Sequence, residues 1–219
     1  MVSVVRGGSN ETSMSARSAA LDVHALGAAY IARFEELLRS IDLNALEGVV
    51  HQLRRARDEG RSIFICGNGG SAATASHWVN DLGKATKVTS HPWMRVTCLS
   101  DNVSWLTALA NDEGYERAFA GQLENFARAG DILIVISASG RSPNLIEAVK
   151  MAESVGMVTV GLFGFDGGVL RERVNECLWL PTEPGAYGLV ETGHSLLADL
   201  ITHCLVHDRD VAEVVTTAS

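Results

Sequence analysis

A chain of 219 residues, 47% hydrophobic and 20% charged, carries enough apolar surface for one sizeable core and falls within the range of a single domain. Its net charge of -8 and the absence of a basic stripe exclude a partner gripped through a phosphate backbone, so no nucleic acid is expected. No run of about eighteen apolar residues suggests a membrane span, and the N-terminus lacks the continuous apolar stretch of a secretory signal; a soluble, cytoplasmic protein is the expectation.

The first twenty residues, polar and containing Ser and Gly, are expected to be mobile, with residues 21–219 forming one domain. "VHALGAAYIARFEELLRSI" and "LNALEGVVHQLRRARDEG" place apolar residues at helical spacing and predict two N-terminal helices, the second stopping at Gly60. From Ser62 the pattern changes to short apolar runs, "SIFIC", "RVTCLS", "DILIVIS", "MVTVGLF" and "ECLWLP", separated mostly by helical segments such as "NLIEAVKMAESV". Strands apolar on both faces, alternating with helices, predict a doubly wound α/β fold with a parallel sheet. A last helix is expected from about Tyr187 to His207. Cys66, Cys98, Cys177 and Cys204 have no close spacing of a zinc or redox pair and read as reduced core residues. The four tryptophans read as core or subunit-contact anchors.

Two loops stand out, "GNGGS" from Gly67 to Ser71 and "SASGRS" from Ser137 to Ser142. Each follows an apolar strand and opens a helix, so each can turn backbone N–H groups and small hydroxyls towards an anion. Neither has the spacing of a dinucleotide fingerprint or of a P-loop. The plain alternative is that Ser71 and Ser142 only cap their helices. Two such loops in one sheet favour a bound phosphate monoester, a ligand compatible with an acidic protein.

With "GNGGSAATASHWVNDL", "ISASGRSPNLIEAVKMAESVGM", "GLFGFDGG" and the position of the helix in "VETGHSLLADLI", the chain resembles the SIS (sugar isomerase) domain, and within it the phosphoheptose isomerase family, over Tyr30 to His207. The resemblance implies a five-stranded sheet of flavodoxin-like order with extra N-terminal helices. It also implies a homotetramer with active sites between subunits and interconversion of a ketose phosphate with an aldose phosphate of the sedoheptulose 7-phosphate type. It implies that Ser71, Ser137, Ser139 and Ser142 hold the phosphate, and that Asn68, Gly69, Gly70 and Asp101 lie near the sugar.

Aldose–ketose isomerisation passes through an enediol and needs a base at the carbon acid plus a group that moves protons between the oxygens. His77 and Asp81, four apart, share a helix face; Glu191 and His194 are three apart on the last helix, with Asp199 eight beyond Glu191. In the family these positions carry His, Glu, Gln and His, so His77 matches while Asp81, Glu191 and Asp199 depart. By this carry-over Asp81, His194 and Asp199 are the candidate catalytic residues and Glu191 a substrate-binding one. A second use of His77, Asp81, Glu191 and Asp199 is to bind a divalent metal such as zinc, although Glu191 and Asp199 stand about 12 Å apart along an ideal helix. Two other readings stay open: a non-catalytic phosphosugar-binding or regulatory protein, and an isomerase of a different C5 to C8 sugar phosphate.

Overall fold

A computed structural model describes residues 21–87 and 91–207; the N-terminal segment expected to be mobile and the tail beyond His207 lie outside the described residues. Two helices come first. In α1, Val23–Arg39, the Asp22 carboxylate accepts from the Ala25 N–H at 3.0 Å; in α2, Leu43–Asp58, the Asp42 carboxylate accepts from the Asn44 N–H at 2.8 Å. Each cap satisfies a donor that the helix itself leaves unpaired. The sequence-expected helices are therefore both present.

The five predicted strands form one parallel sheet: β1 Ser62–Gly67, β2 Arg95–Cys98, β3 Ile132–Ser137, β4 Val158–Phe163 and β5 Glu176–Trp179, in the order β2-β1-β3-β4-β5. Side chains alternate across it, as a period of two requires. Ile63 and Ile65 of β1 and Ile132, Ile134 and Ile136 of β3 face one layer, packed by Val49 and Leu53 of α2 and by Leu197 and Ile201 of α7, Tyr187–Val206. Phe64, Cys66, Leu133 and Val135 face the other, against α5, Ala120–Phe126, and α6, Pro143–Val155. Burial on both faces is why these strands read as unbroken apolar runs.

Helix α3, Gly70–Asn80, follows β1 and continues into a π-helical turn, Asp81–Ala85. Its Trp78 is fully buried and donates to Thr202 of α7 at 3.1 Å, which locks the two helices side by side. Helix α4, Val103–Asp112, follows β2 and buries none of its residues. Helix α1 is almost as open: Leu37 is its one buried residue, and Leu26, Tyr30 and Ile31 stay 55%, 46% and 60% exposed. All four cysteines are free thiols, with Cys66 and Cys98 buried and Cys177 and Cys204 half-buried. Of the two roles expected for the tryptophans, Trp93 does not take the core one: it is 68% exposed, with the Lys87 ammonium over its ring. No described helix is long and apolar enough to cross a membrane.

Candidate functional site

All five strands run parallel, but β2 is added on one side of β1 and β3 on the other, so the order of strand addition reverses there and the carboxyl ends of β1 and β3 open a crevice at the topological switch point. The two glycine–serine loops leave those strand ends. At the first, Gly69 has φ +55° and α3 begins at Gly70; a Cβ on Gly67 would lie 2.7 Å from that of Ser71. The loop therefore folds tightly on itself, and Ser71 is buried in it. At the second, Gly140 has φ +60° and packs against the backbone carbonyl of Gly167, with no room for a side chain. The Ser137 hydroxyl oxygen accepts from the Gly140 N–H at 3.0 Å, and that of Ser139 accepts from the Arg141 N–H at 3.3 Å. Ser142 stands at the N-cap position of α6, but its hydroxyl makes no capping bond. The plain capping role thus fails at Ser142, whose hydroxyl is left for a ligand.

A pair of amides ties the loops together. The Asn68 side-chain N–H donates to Asn144 Oδ1 at 3.0 Å, and the Asn144 side-chain N–H donates to Asn68 Oδ1 at 2.8 Å. Tyr115 donates its hydroxyl to the same Asn68 oxygen at 2.9 Å. Ser100, at the end of β2, donates to the Gly67 carbonyl at 3.1 Å, which brings the exposed turn carrying Asp101 alongside. Asn144 and Tyr115 did not stand out in the sequence. Asn144 had a signal: an amide, 2% exposed, in the buried first turn of an otherwise apolar-periodic helix.

On the other side of the first loop, α3 and α7 form the walls of a shallow cleft of about 470 Å³, lined by Gly70, Thr74 and His77 from α3 and by Glu191, Thr192 and Ser195 from α7. The Glu191 carboxylate lies over Gly70, only 2.6 Å from where a Cβ there would stand. It sits at the N-terminus of α3, where the helix dipole favours a negative charge. Thr74 and Ser195 share a hydrogen bond of 3.1 Å that closes the floor. His77 is exposed, with Nε2 3.6 Å from Asp81 Oδ2, and Asp81 also accepts from the Asn80 amide at 3.1 Å.

The remaining candidates separate. Asp199 is exposed on α7 in the Glu191–Ser195 stripe, two turns further along. His194 turns to the opposite side: it is fully buried, no hydrogen bond of good geometry reaches either ring nitrogen, and burial pushes its pKa down to about 4 against a weaker upward pull from the Phe163 backbone, whose contact with the ring falls short of a well-formed hydrogen bond. The structure does not bring His194 to the cleft, because it occupies the apolar stripe of α7 with Leu197 and Ile201. Among the described residues no three of His, Cys, Asp and Glu come together, and the four suggested ligands supply only the His77–Asp81 pair at close range. Two donors do not fit a zinc site.

Arg141 of the second loop makes a bidentate ion pair with Asp166, 2.6 and 2.7 Å, and also donates to the Ser139 carbonyl at 3.2 Å. The guanidinium, with help from the Gly168 N–H, holds the Asp166 carboxyl down at about 2. The preceding Phe165 has φ +45°, unusual for a bulky residue, and is fixed there by a 3.2 Å bond to Thr182 and a 3.0 Å bond from Trp179. Asp166 also accepts from the Gly168 N–H at 3.2 Å, so one carboxylate shapes its own turn and clamps the second loop.

An open parallel sheet with two coupled glycine–serine turns at its carboxyl edge defines a doubly wound α/β domain built to receive a small anion at the switch point. The SIS domain model matches residues 29–164. A phosphoheptose isomerase of Roseiflexus sp. is 38% identical over 167 residues, 76% of this chain and 80% of that protein. One from Helicobacter pylori strain P12 is 34% identical over 178 residues, covering 80% and 91%. The solved phosphoheptose isomerase of Neisseria gonorrhoeae superposes with a TM-score of 0.75 at 29% identity, over 83% of this chain and 97% of that one. The chain belongs to the SIS domain family and, within it, to the phosphoheptose isomerases.

Proposed function

We propose that this chain, as a single SIS domain, interconverts a ketose and an aldose phosphate, with a heptose phosphate of the sedoheptulose 7-phosphate type as substrate. The observation that carries the reading is the Asn68–Asn144 bridge, which couples the first glycine–serine loop to the start of α6, the helix opened by the second loop at the switch point. Ser137, Ser139 and Ser142 hold the phosphate at the N-terminus of α6, where hydroxyls and amides replace lysines. Ser71 adds its hydroxyl to the phosphate from the first loop; Asn68, Gly69, Gly70 and Asp101 line the path of the sugar, and Glu191 accepts from a sugar hydroxyl.

Asp81 is the base that takes the carbon-bound proton, and His77, 3.6 Å away, holds and shares its charge. Asp199 is the second carboxylate, placed to carry protons between the substrate oxygens once a neighbouring subunit completes the cleft. That completion follows from the open apolar face of α1, which supports assembly as a homotetramer. On this reading the enzyme acts in the cytoplasm on a free metabolite. A divalent ion at His77 and Asp81 requires ligands from a partner subunit, and no step here depends on it.

The test is incubation with sedoheptulose 7-phosphate in deuterated water, followed by separation of aldose from ketose and measurement of carbon-bound deuterium. Turnover with deuterium uptake supports the isomerase. Tight binding without exchange, for this and every other C5 to C8 ketose phosphate, overturns it in favour of a phosphosugar sensor.

A further inference from the structure

At the opposite end of the sheet a second cavity, about 410 Å³, opens at the amino ends of β1 and β2. Its origin lies in the strand register. Ser62 pairs with Arg95 and Phe64 with Thr97, so these four side chains project from the same face of the sheet. Helix α5 covers Phe64, where the Phe126 ring stacks at 6.3 Å, but the helix is seven residues long and ends there. The edge strand β2 therefore has no cover on this face, and Arg95 and Thr97 stay exposed.

The charges around the cavity are unequal. Of its two acids, Asp131 is buried and accepts from the Ser62 and Arg128 backbone N–H groups, both at 2.9 Å, and Glu59 pairs with Arg55 and Arg61. Arg95 and Arg128 have no carboxylate partner among the described residues, although the chain as a whole carries -8. Two unneutralised guanidinium groups thus face a cavity whose wall is the half-exposed ring of Phe126, braced edge-on by Trp105 at 5.3 Å. The volume is that of a small-molecule site. Guanidinium forks recognise phosphate, and a rigid, braced ring offers a stacking surface to a flat base.

We infer that this cavity, at the amino edge of the sheet and remote from the switch point, binds a nucleoside phosphate, its phosphate between Arg95 and Arg128 and its base on Phe126. The six residues of β1 separate it from the glycine–serine loops by about 20 Å at 3.3 Å per residue, so ligand and substrate do not compete for space. The strand that ends in Gly67 begins at this cavity, and the ligand would report on the site through β1.

Calorimetry on the intact protein, with AMP, ADP and GDP as probes and adenosine and inorganic phosphate as partial ones, tests the assignment. A nucleotide is expected to bind at least tenfold more tightly than either partial probe. Arg95→Gln with Arg128→Gln, both at exposed positions, is expected to lower that affinity at least tenfold with the melting temperature unchanged, and Phe126→Leu to lower it while keeping the apolar cover. Trp105 emission should shift on binding in the native protein. Failure of all three nucleotides to bind, or binding that survives the double arginine variant, overturns the inference. So does equal affinity for adenosine, which would make the arginines irrelevant.

Discussion

Asn68 and Asn144 exchange two amide hydrogen bonds across 76 residues of chain, and the pair ties the first glycine–serine loop to the first turn of α6, the helix that the second loop opens. Asn144→Ala leaves the Asn68 amide with unmet partners in a half-buried place, at a cost of about 1–3 kcal/mol. The expected outcome is a lower melting temperature together with a roughly tenfold rise in KM for the sugar phosphate, because a misplacement near 1 Å is felt strongly in such sites. A change in melting temperature with KM unaltered would show the bridge to be structural only.

The hydroxyls of Ser137 and Ser139 accept from backbone N–H groups within their own loop, which leaves their protons free to donate outwards. Ser137→Ala with Ser139→Ala should weaken sugar-phosphate binding by a few kcal/mol, at about 1.5–3 kcal/mol for each bond to a charged group. Calorimetry with substrate reads this directly, and unchanged affinity would remove the loop from the binding site.

For Asp81, the isosteric Asp81→Asn removes the basic lone pair and keeps the shape. Exchange of the carbon-bound proton should fall by roughly 10²- to 10⁴-fold while substrate binding persists. Substrate-deuterium exchange followed by NMR separates the two, and exchange at the native rate would move the base elsewhere.

His194 makes stability pH-dependent. Its folded pKa of about 4 lies below the ordinary 6.5, so between these values the unfolded chain binds the proton and the folded one does not. The stability it supports is present above pH 6.5 and lost as pH falls towards 4, by about 2 kcal/mol at pH 5. The melting temperature should therefore drop on acidification, and His194→Leu should flatten that drop. Equal pH dependence in both proteins would place the acid sensitivity in other groups.

Leu26 and Ile31 on the open side of α1 call for an apolar partner. Sedimentation of the native chain is expected to report a tetramer, and Leu26→Glu with Ile31→Glu to shift it towards smaller species with loss of turnover. A native chain that sediments as a monomer at micromolar concentration would contradict the composite site.

The centre of the sheet was legible because β1, β3 and β4 are buried on both faces and so announce themselves as apolar runs, while the edge strands β2 and β5 showed only as shorter apolar runs between turns. The N-terminal helices were legible from their spacing and from Asp22 and Asp42 at their caps. The loops were legible as glycine–serine turns, but their coupling was not, since the Asn68–Asn144 contact joins segments that no local period relates. His194 could have been read better: with Leu197, Ile201 and Leu205 it continues a three-and-four spacing of buried positions, which marks the core side of a helix. The Glu191–Gly70 contact and the Arg141–Asp166 clamp depend on how helices and loops cross in space, and one-dimensional pattern carries no information on that.

The Glu191 carboxylate above Gly70 has a bearing on which metabolites the crevice admits. The positive end of α3 already has its counter-ion inside the protein, whereas α6 starts with Pro143 and an uncommitted Ser142 hydroxyl. A substrate charged at one terminus therefore has a single favourable way round. A sugar carrying phosphates at both termini meets a fixed carboxylate with its second one, and like charges at close range repel. On the proposed binding mode, with sedoheptulose 7-phosphate as substrate, its 1,7-bisphosphate should compete for the site more than tenfold less well, a ratio that inhibition kinetics would measure.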